Sequence, residues 1–342
     1  MSNSVHRAER DAGAATLLEM FDALLIDLDG VVYVGSDPVP HAVTVIRRAR
    51  AAGHAVAYVT NNAGRSPSVV AHHLREFGLD VADHDVVTSA QAGAREISAR
   101  LPRGSTVLAV GGPGVAEALL ARGLTPVSRA EEKPSAVMMG YGADVSWREL
   151  AEASYAVAAG ALFVATNTDV SFPLPQGRAP GNGAFVAAVV GATGQEPLVA
   201  GKPYLPLITE SIERVGAQRP IIVGDRLDTD IEAGQRAGIA TLLVFTGVTG
   251  VSDLLAAPPR RRPTYIAADL RGMLAPPRNL LADMADMADM ADVLPPPAGA
   301  DDLRDLRQAA RAAWAAADAG LPAPAVDVES LTRDVVRALA SG

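Results

Sequence analysis

Cysteine is absent from the 342-residue chain. Its absence excludes disulfides, thiolate metal sites and cysteine nucleophiles, and it fits a cytoplasmic protein. Aromatic residues make up 4%, too few for the base-stacking platforms of a single-strand nucleic-acid binder. Positive charge is in deficit, with 30 Lys and Arg against 39 Asp and Glu and a formal net charge of −9. No basic footprint for nucleic acid exists, and an anionic substrate must be drawn in by a local cation. No apolar run reaches the roughly 18 residues of a membrane span. The stretch Met1–Glu19 lacks the apolar core of a signal peptide. What the chain does have is core material, 49% hydrophobic residues over a length that suggests two domains and an appendage.

The order of apolar runs and helical stretches predicts a doubly wound parallel sheet. Leu24–Asp27 reads as a strand, Ala42–Ala52 as a helix ended by Gly53, and Ala55–Thr60 as a second strand. Ser66 is the expected N-cap, with Pro67 at the first position, of a helix that Gly78 ends. The rhythm returns late, with a helix at Tyr204–Val215, a strand at Pro220–Val223, a helix at Thr229–Ala237 and a strand at Thr241–Phe245. Between these lies a self-sufficient α/β segment. Its strands are Thr106–Val110, Ala136–Met139 and Leu162–Ala165, and its helices lie near Ala90–Arg100, Val115–Arg122, Trp147–Ala159 and Gly183–Val190. The expected organisation is a core at 20–87 and 200–275, a cap domain inserted at 88–199, and an extension at 276–342. In the extension, Ala-Asp-Met repeats three times over 282–290 and is followed by Pro295–Pro297, a low-complexity linker. Two helices, Asp301–Ala319 and Ser330–Leu339, close the chain. They can cover the core or a second subunit.

Chemistry concentrates at four places. The first is Asp27-Leu28-Asp29-Gly30, two carboxylates spaced i, i+2 at the end of an apolar strand. Alternate strand residues face one side, so both carboxylates can address one small volume. Alone, the same four residues also read as a solvated turn. The others are Thr60-Asn61-Asn62, Gly201-Lys202-Pro203, and the run Gly224-Asp225-Arg226-Leu227-Asp228-Thr229-Asp230. Each follows an apolar segment or begins a helix, and the carboxyl ends of parallel strands are where open α/β sheets bind ligands. The set suits phosphoryl transfer through an aspartate. A carboxylate can attack phosphorus, and Mg²⁺ takes carboxylates and phosphate oxygens. Asp27 and Asp225 can hold the metal, Thr60 and the Asn61 amide can bind phosphate, and Lys202 adds a point charge. Asp29 is placed to protonate the leaving oxygen and then to deprotonate water.

On these motifs, residues 20–275 resemble the haloacid dehalogenase superfamily of phosphohydrolases, in particular the subfamily with a large α/β cap after the second motif. The resemblance implies a Mg²⁺-dependent hydrolase with Asp27 as nucleophile and Asp29 as general acid/base. It also implies phosphate binding by Thr60 and Asn61, orientation of nucleophile and phosphate by Lys202, and metal ligation by Asp27, Asp225 and the Asp29 main-chain carbonyl. Asp230 would support the metal directly or through water. The cap run Ala165–Asp169, continuing to Gly183, looks like that subfamily's substrate loop, with Asn167, Asp169 and Arg178 as recognition residues. The expected substrate is a small phosphorylated metabolite, with glycerol 3-phosphate leading and phosphoglycolate or a nucleoside monophosphate as alternatives. A homodimer through the cap or the extension is left open.

Three rivals stand against this reading. A phosphoacceptor signalling domain also uses Asp, Ser/Thr and Lys on such a sheet, but has no use for Asp29. A retired, purely binding protein does not need all four motifs. A phosphomutase needs a second phosphate site. Other features read as structure: Gly111–Gly114 as a tight turn, His72-His73 as surface without a partner, and Lys133 as solvated.

Overall fold

The structure, a computed structural model, describes residues 15–174, 176–281 and 303–341. The Ala-Asp-Met repeat, Pro295–Pro297 and the first residues of the chain lie outside that set. The chain divides into two compact units, 1–56 with 217–342, and 57–216.

The first unit opens with β1 (Ala23–Ile26), a small antiparallel flap of β2 (Tyr33–Val34) and β3 (Asp37–Pro38), and helix α1 (Ala42–Ala51). Strand β4 (Ala55–Thr60) leads into the second unit. That unit continues with α2 (Pro67–Glu76), β5 (Val86–Thr88), α3 (Ser89–Ser98), β6 (Thr106–Val110), α4 (Pro113–Ala121), β7 (Thr125–Val127) and β8 (Ala136–Met139). Then come α5 (Trp147–Ala158), β9 (Leu162–Ala165), the hairpin β10 (Ser171–Leu174) and β11 (Gly177–Pro180), α6 (Asn182–Thr193), β12 (Leu198–Val199) and α7 (Leu205–Val215). The chain returns to the first unit with β13 (Pro220–Gly224), α8 (Glu232–Ala237), β14 (Ala240–Val244), α9 (Val251–Leu255), β15 (Tyr265–Ala267), α10 (Arg304–Asp318) and α11 (Val328–Ala340).

In the first unit β15, β14, β13 and β1 lie side by side, all parallel. Leu24, Leu25 and Ile26 are wholly buried, as are Ile221, Ile222 and Val223. Unbroken apolar runs of this kind are what a parallel sheet covered on both faces requires. The β1–β13 register sets two carboxylates side by side. Ala23 pairs with Pro220 and Ile26 with Val223, and the Asp27 amide still donates to the Val223 carbonyl at 2.9 Å. Asp27 therefore emerges beside the end of β13, where Asp225 begins the next loop.

The extension packs on this unit. Leu306, Ala310 and Trp314 of α10 and Leu331, Val335 and Ala338 of α11 share one buried cluster with Leu243, Val251, Leu254 and Ile266. Of the two surfaces the tail helices can cover, they take the core of their own chain.

The second unit holds a parallel sheet in the order β12, β9, β8, β6, β7, and separately the parallel pair β4 and β5. Ser66 is the N-cap residue of α2 with Pro67 next, yet its hydroxyl bonds to Ser68 at 2.9 Å and not to a backbone amide. Glu210 of α7 is buried among Arg95, Arg122 and Arg214, at 3.1 Å from Arg95 and 2.9 Å from Arg122. Burial pushes its carboxyl up, but the Arg214 hydrogen bond and the three guanidinium charges outweigh this and hold it below its ordinary value. A carboxylate with a depressed folded pKa stabilises above its unfolded pKa, and that contribution is lost as pH falls through the folded one. Glu210→Gln should thus cost about 3 kcal/mol in urea unfolding at pH 7. The difference from wild type should shrink as pH falls below 4.5, the ordinary value for this group.

Two expectations need correction. The predicted helix Thr229–Ala237 begins as a one-turn π-helix, Leu227–Ile231, before α8. The wider turn lets the Asp230 carboxylate reach back to the Arg226 amide at 3.2 Å. His72 and His73 do have a carboxylate neighbour. Glu76, one turn on, lies 3.6 Å from His72 and 3.2 Å from His73 on the surface of α2.

Gly111–Gly114 is the tight turn expected. The Gly112 amide donates to Tyr141 and the Gly114 amide to Gly64, and a Cβ at Gly112 would stand 2.6 Å from the Gly64 carbonyl. Lys133 is exposed.

Candidate active site and metal centre

The first unit carries an acidic trio. One carboxylate oxygen from each of Asp27, Asp225 and Asp230 lies within 4.8 Å of the other two. Asp225 and Asp230 are buried and Asp27 is half-buried. Three anions at this separation repel strongly unless a cation joins them.

The backbone builds the seat for Asp225. The Val248 amide donates to Asp225 Oδ2 at 2.6 Å, and the Thr249 amide to the Asp225 carbonyl at 3.1 Å. Two glycines face the same carboxylate with no side chain: a Cβ on Gly30 would lie 2.6 Å from Oδ2, and one on Gly247 only 2.0 Å. Gly30 also has φ +87°, the left-handed region that glycine adopts without strain. Thr246 donates its hydroxyl to the Gly30 carbonyl and ties the two glycine loops together. Asp230 sits equally close to Gly224, where a Cβ would fall 2.2 Å from its own Cβ.

The third carboxylate of the acidic run, Asp228, is turned elsewhere. Arg226 grips it with two bonds of 3.0 and 2.9 Å. Burial pushes its carboxyl up, and Arg226 more than reverses that, leaving it below its ordinary value.

Asp29 lies two residues beyond Asp27 and is exposed, while Leu28 between them is wholly buried. The Leu28 carbonyl accepts from the amides of Val31, Val32 and Tyr33, curling the chain just past β1.

The donor set is oxygen only, which suits a hard, small divalent cation. A trio of carboxylates with a glycine-lined hollow around one of them fits Mg²⁺. Among the described residues this is the only such group.

The second unit carries the other motif residues. Thr60 ends β4, and its hydroxyl accepts from the Asn62 amide at 3.0 Å. Asn61 is a clamp. Its Oδ1 accepts from the Lys202 amide at 2.8 Å, and its Nδ2 donates to the Lys202 carbonyl at 3.0 Å and to Asp169 at 3.1 Å. With its side chain so committed, the backbone amide of Asn61 is the part suited to phosphate. Lys202 is buried, 3% exposed, with Nζ 3.1 Å from the Val59 carbonyl. Gly201 makes room for this, since a Cβ there would meet Asn61 Oδ1 at 2.6 Å.

Asn167 is buried and braces backbone. It donates to the Asn61 carbonyl at 2.8 Å and accepts from the Asp169 amide at 3.2 Å. Asn182, which lies in the same cap run but has no role assigned from the sequence, continues the brace by donating to the Asn167 carbonyl at 2.7 Å. Arg178 stands apart on the exposed hairpin, holding the Ser171 hydroxyl at 3.1 and 2.9 Å.

The Thr246–Thr249 grip on Asp225 is likewise beyond the sequence reading. It acts through main-chain amides, which no residue type announces; the available cue is a glycine shortly beyond a strand, as in Asp27–Gly30.

Comparison with known proteins places this arrangement. Residues 24–125 match the family described as haloacid dehalogenase-like hydrolase, and residues 199–273 a second HAD-hydrolase-like family. D-glycerol 3-phosphate phosphatase from Mycobacterium tuberculosis is 46% identical over 75% of this chain and 72% of its own length. Acid sugar phosphatase from Staphylococcus aureus is 37% identical over 75% of this chain and 98% of its own length. The crystal structure of the Mycobacterium tuberculosis glycerol phosphate phosphatase with magnesium superposes with a TM-score of 0.79 at 40% identity, covering 88% of this chain and 93% of that one. A p-nitrophenyl phosphatase from Archaeoglobus fulgidus gives 0.69 at 30% identity, over 74% and 98% of the two chains. Mg²⁺ is the metal of such a site. With its acidic trio and these relatives, the chain belongs to the haloacid dehalogenase family of hydrolases and is a phosphatase.

Proposed function

We propose that this phosphatase hydrolyses glycerol 3-phosphate to glycerol and phosphate. The observation that carries the chemistry is the close approach of Asp27, Asp225 and Asp230. The substrate rests on the 46% identity to a protein named for that activity. Phosphoglycolate, nucleoside monophosphates and sugar phosphates are the alternatives a substrate panel must separate.

The proposed roles follow from position. An Asp27 carboxylate oxygen attacks phosphorus as the bond to the leaving oxygen breaks, giving an aspartyl-phosphate. Asp29, exposed two residues on, donates its proton to the leaving alkoxide. It then takes a proton from water, which attacks the same phosphorus and returns Asp27 as a carboxylate. Asp27, Asp225 and the Asp29 carbonyl would hold the Mg²⁺, with Asp230 supporting it directly or through water. When bound, the metal screens negative charge at the transferring group. Thr60, the Asn61 amide and Lys202 bind phosphate oxygens, and Asn61 fixes the Lys202 backbone for that task. Asp29 disfavours the phosphoacceptor signalling alternative, and an intact trio disfavours a retired enzyme.

Residues 88–199 serve as the inserted cap between core segments 20–87 and 200–275. A sheet drawn from 106–199 supports that division. Asp169 and Arg178 are the recognition candidates in it, with Asn167 acting through the backbone. The protein works in the cytoplasm on a small metabolite. No helix among the described residues is long and apolar enough to cross a membrane. Should two copies associate through the cap, the face of α5 with Trp147 79% and Tyr155 60% exposed is where they would meet.

The deciding experiment is phosphate release from a panel of phosphomonoesters with Mg²⁺ and with EDTA. Release should require Mg²⁺, and glycerol 3-phosphate should give the highest kcat/KM. A different best substrate overturns the assignment, and release that survives EDTA overturns the metal role.

A further inference from the structure

The tail helices lie beyond residue 273, where the family match ends. The Staphylococcus aureus relative is matched over 98% of its own length by only 75% of this chain. The helices are thus additional to that relative, whereas the magnesium-bound Mycobacterium tuberculosis structure superposes over 88% of this chain.

Trp314 of α10 is wholly buried, and its indole N–H donates to the Leu254 carbonyl of α9 at 2.9 Å. The Arg262 guanidinium lies over the ring, 5.2 Å from its centroid. Asp318, one turn beyond Trp314 on α10, holds that guanidinium with bonds of 2.6 and 2.8 Å. Trp314 is thus fixed at its edge by a hydrogen bond and at its face by a cation.

What it touches leads directly to the metal carboxylates. Leu254 belongs to α9, whose first turn is secured by Asp253 accepting from the Gly250 amide at 2.9 Å. The two residues before Gly250 supply the Val248 and Thr249 amides that hold Asp225. Leu227 and Ile231, which bracket Asp230 on the π-turn, lie in the same buried cluster as Trp314, Leu254 and Val251. Both Asp225 and Asp230 are therefore backed by elements whose apolar side is completed by α10 and α11.

We propose that Trp314 is a positioning residue of the metal seat, holding α9 and through it the 246–250 loop that aims the Asp225 carboxylate. This rests on the reading of Asp225 as a metal ligand. A carboxylate already aimed needs no ordering when the cation arrives, and outer supports of this kind govern metal affinity. Loosening the support therefore weakens Mg²⁺ binding and leaves the chemical step intact once the site is filled.

The test uses the full chain carrying Trp314→Phe, which keeps an aromatic ring and removes the N–H. Mg²⁺ titrated into metal-free protein by calorimetry should show Kd raised about tenfold. Amide hydrogen exchange in 246–255 should quicken in the absence of metal. The kcat at saturating Mg²⁺ should stay within about twofold of wild type. Asp318→Asn, which takes the counter-charge from the buried Arg262 and is checked for folding by Tm, should move Kd in the same direction by a smaller factor. Leu119→Ala, in the core of the other unit, should lower Tm and leave Kd unchanged.

Unchanged Kd and exchange in Trp314→Phe, or an equal rise of Kd in Leu119→Ala, overturns the proposal. Asp225→Asn separates the two readings. If it leaves Mg²⁺ affinity as in wild type, the metal-ligand reading fails and the positioning role falls with it. If it weakens binding while Trp314→Phe does not, the positioning role alone is wrong.

Discussion

Asp27→Asn lowers the rate of phosphate release by about four orders of magnitude or more, the scale on which loss of a catalytic nucleophile is felt. The substitution changes one atom in a side chain of unchanged shape. The Asp27 amide stays bonded to Val223, and the β1–β13 register is untouched. Folding should survive, with Tm within a few degrees of wild type. An amide nitrogen has its lone pair delocalised, and the remaining amide oxygen carries no full charge, so attack on phosphorus fails. The change also removes one anion from a trio crowded within 4.8 Å. Relief of that repulsion offsets part of the lost metal attraction, so Mg²⁺ binding should fall far less than turnover. Steady-state phosphate release and Mg²⁺ calorimetry on the same preparation read the two effects apart. A variant that keeps more than about one-hundredth of wild-type kcat would show that Asp27 is not the nucleophile.

Gly247→Ala should be the most damaging single methyl group in the first unit. Its backbone is not in the left-handed region, so alanine adopts the conformation without strain. The obstacle is the neighbour. The new Cβ would stand 2.0 Å from Asp225 Oδ2 and 2.9 Å from the Asp225 Cβ. The carboxylate must turn away, and in turning it loses the 2.6 Å bond from Val248. The expected result is a rise in the Mg²⁺ Kd of about a hundredfold, at the upper end of what misplacing a ligand's support costs. Excess Mg²⁺ should restore part of the activity, because the proposed nucleophile Asp27 and the proposed phosphate binders Thr60, Asn61 and Lys202 are unaltered. A variant with wild-type Mg²⁺ affinity would mean that the 246–249 loop yields instead of Asp225.

The parts of this site that are visible in the sequence are those made by side chains at strand ends. Asp27 and Asp225 can be anticipated because each follows an unbroken apolar run, and a parallel strand buried on both faces leaves little choice about where its polar end emerges. Asp230 is not at a strand end, and only the family resemblance points to it; the π-turn that carries it has no sequence signal. A helix with five-residue closure has the composition of an ordinary helix start, and the extra width shows only in the structure, where the Ile231 amide donates to the Arg226 carbonyl at 3.2 Å. The Asn61 clamp is out of reach because its partner, Lys202, lies 141 residues away. A lone asparagine after a strand reads equally as a turn residue or a ligand. The Val248 and Thr249 amides carry no side-chain signature at all. Short strands such as β2, β12 and β15 fall below the length at which alternation can be seen. The apolar stripes of the last two helices announce that they must cover something, but the partner surface is scattered over residues 227 to 280.

Asp27 and Asp225 belong to one compact unit, yet the whole of 57–216 is threaded between them in the chain. That unit is therefore discontinuous, whereas 57–216 is contiguous. During synthesis the contiguous stretch is complete and free to fold while the residues that finish the metal seat are still unmade. Asp27 waits beside an empty edge until β13 is added, and Trp314 arrives later still. On this account a chain that has not yet added β13 lacks Asp225 and Asp230, and the tail helices only tighten a seat that those residues have already formed. A translation arrest or premature stop within the tail would then release a protein whose 57–216 unit is sound and whose Asp225 and Asp230 carboxylates are less firmly backed. The order in which the residues are strung makes metal binding a report that β13 and the turn after it have joined β1.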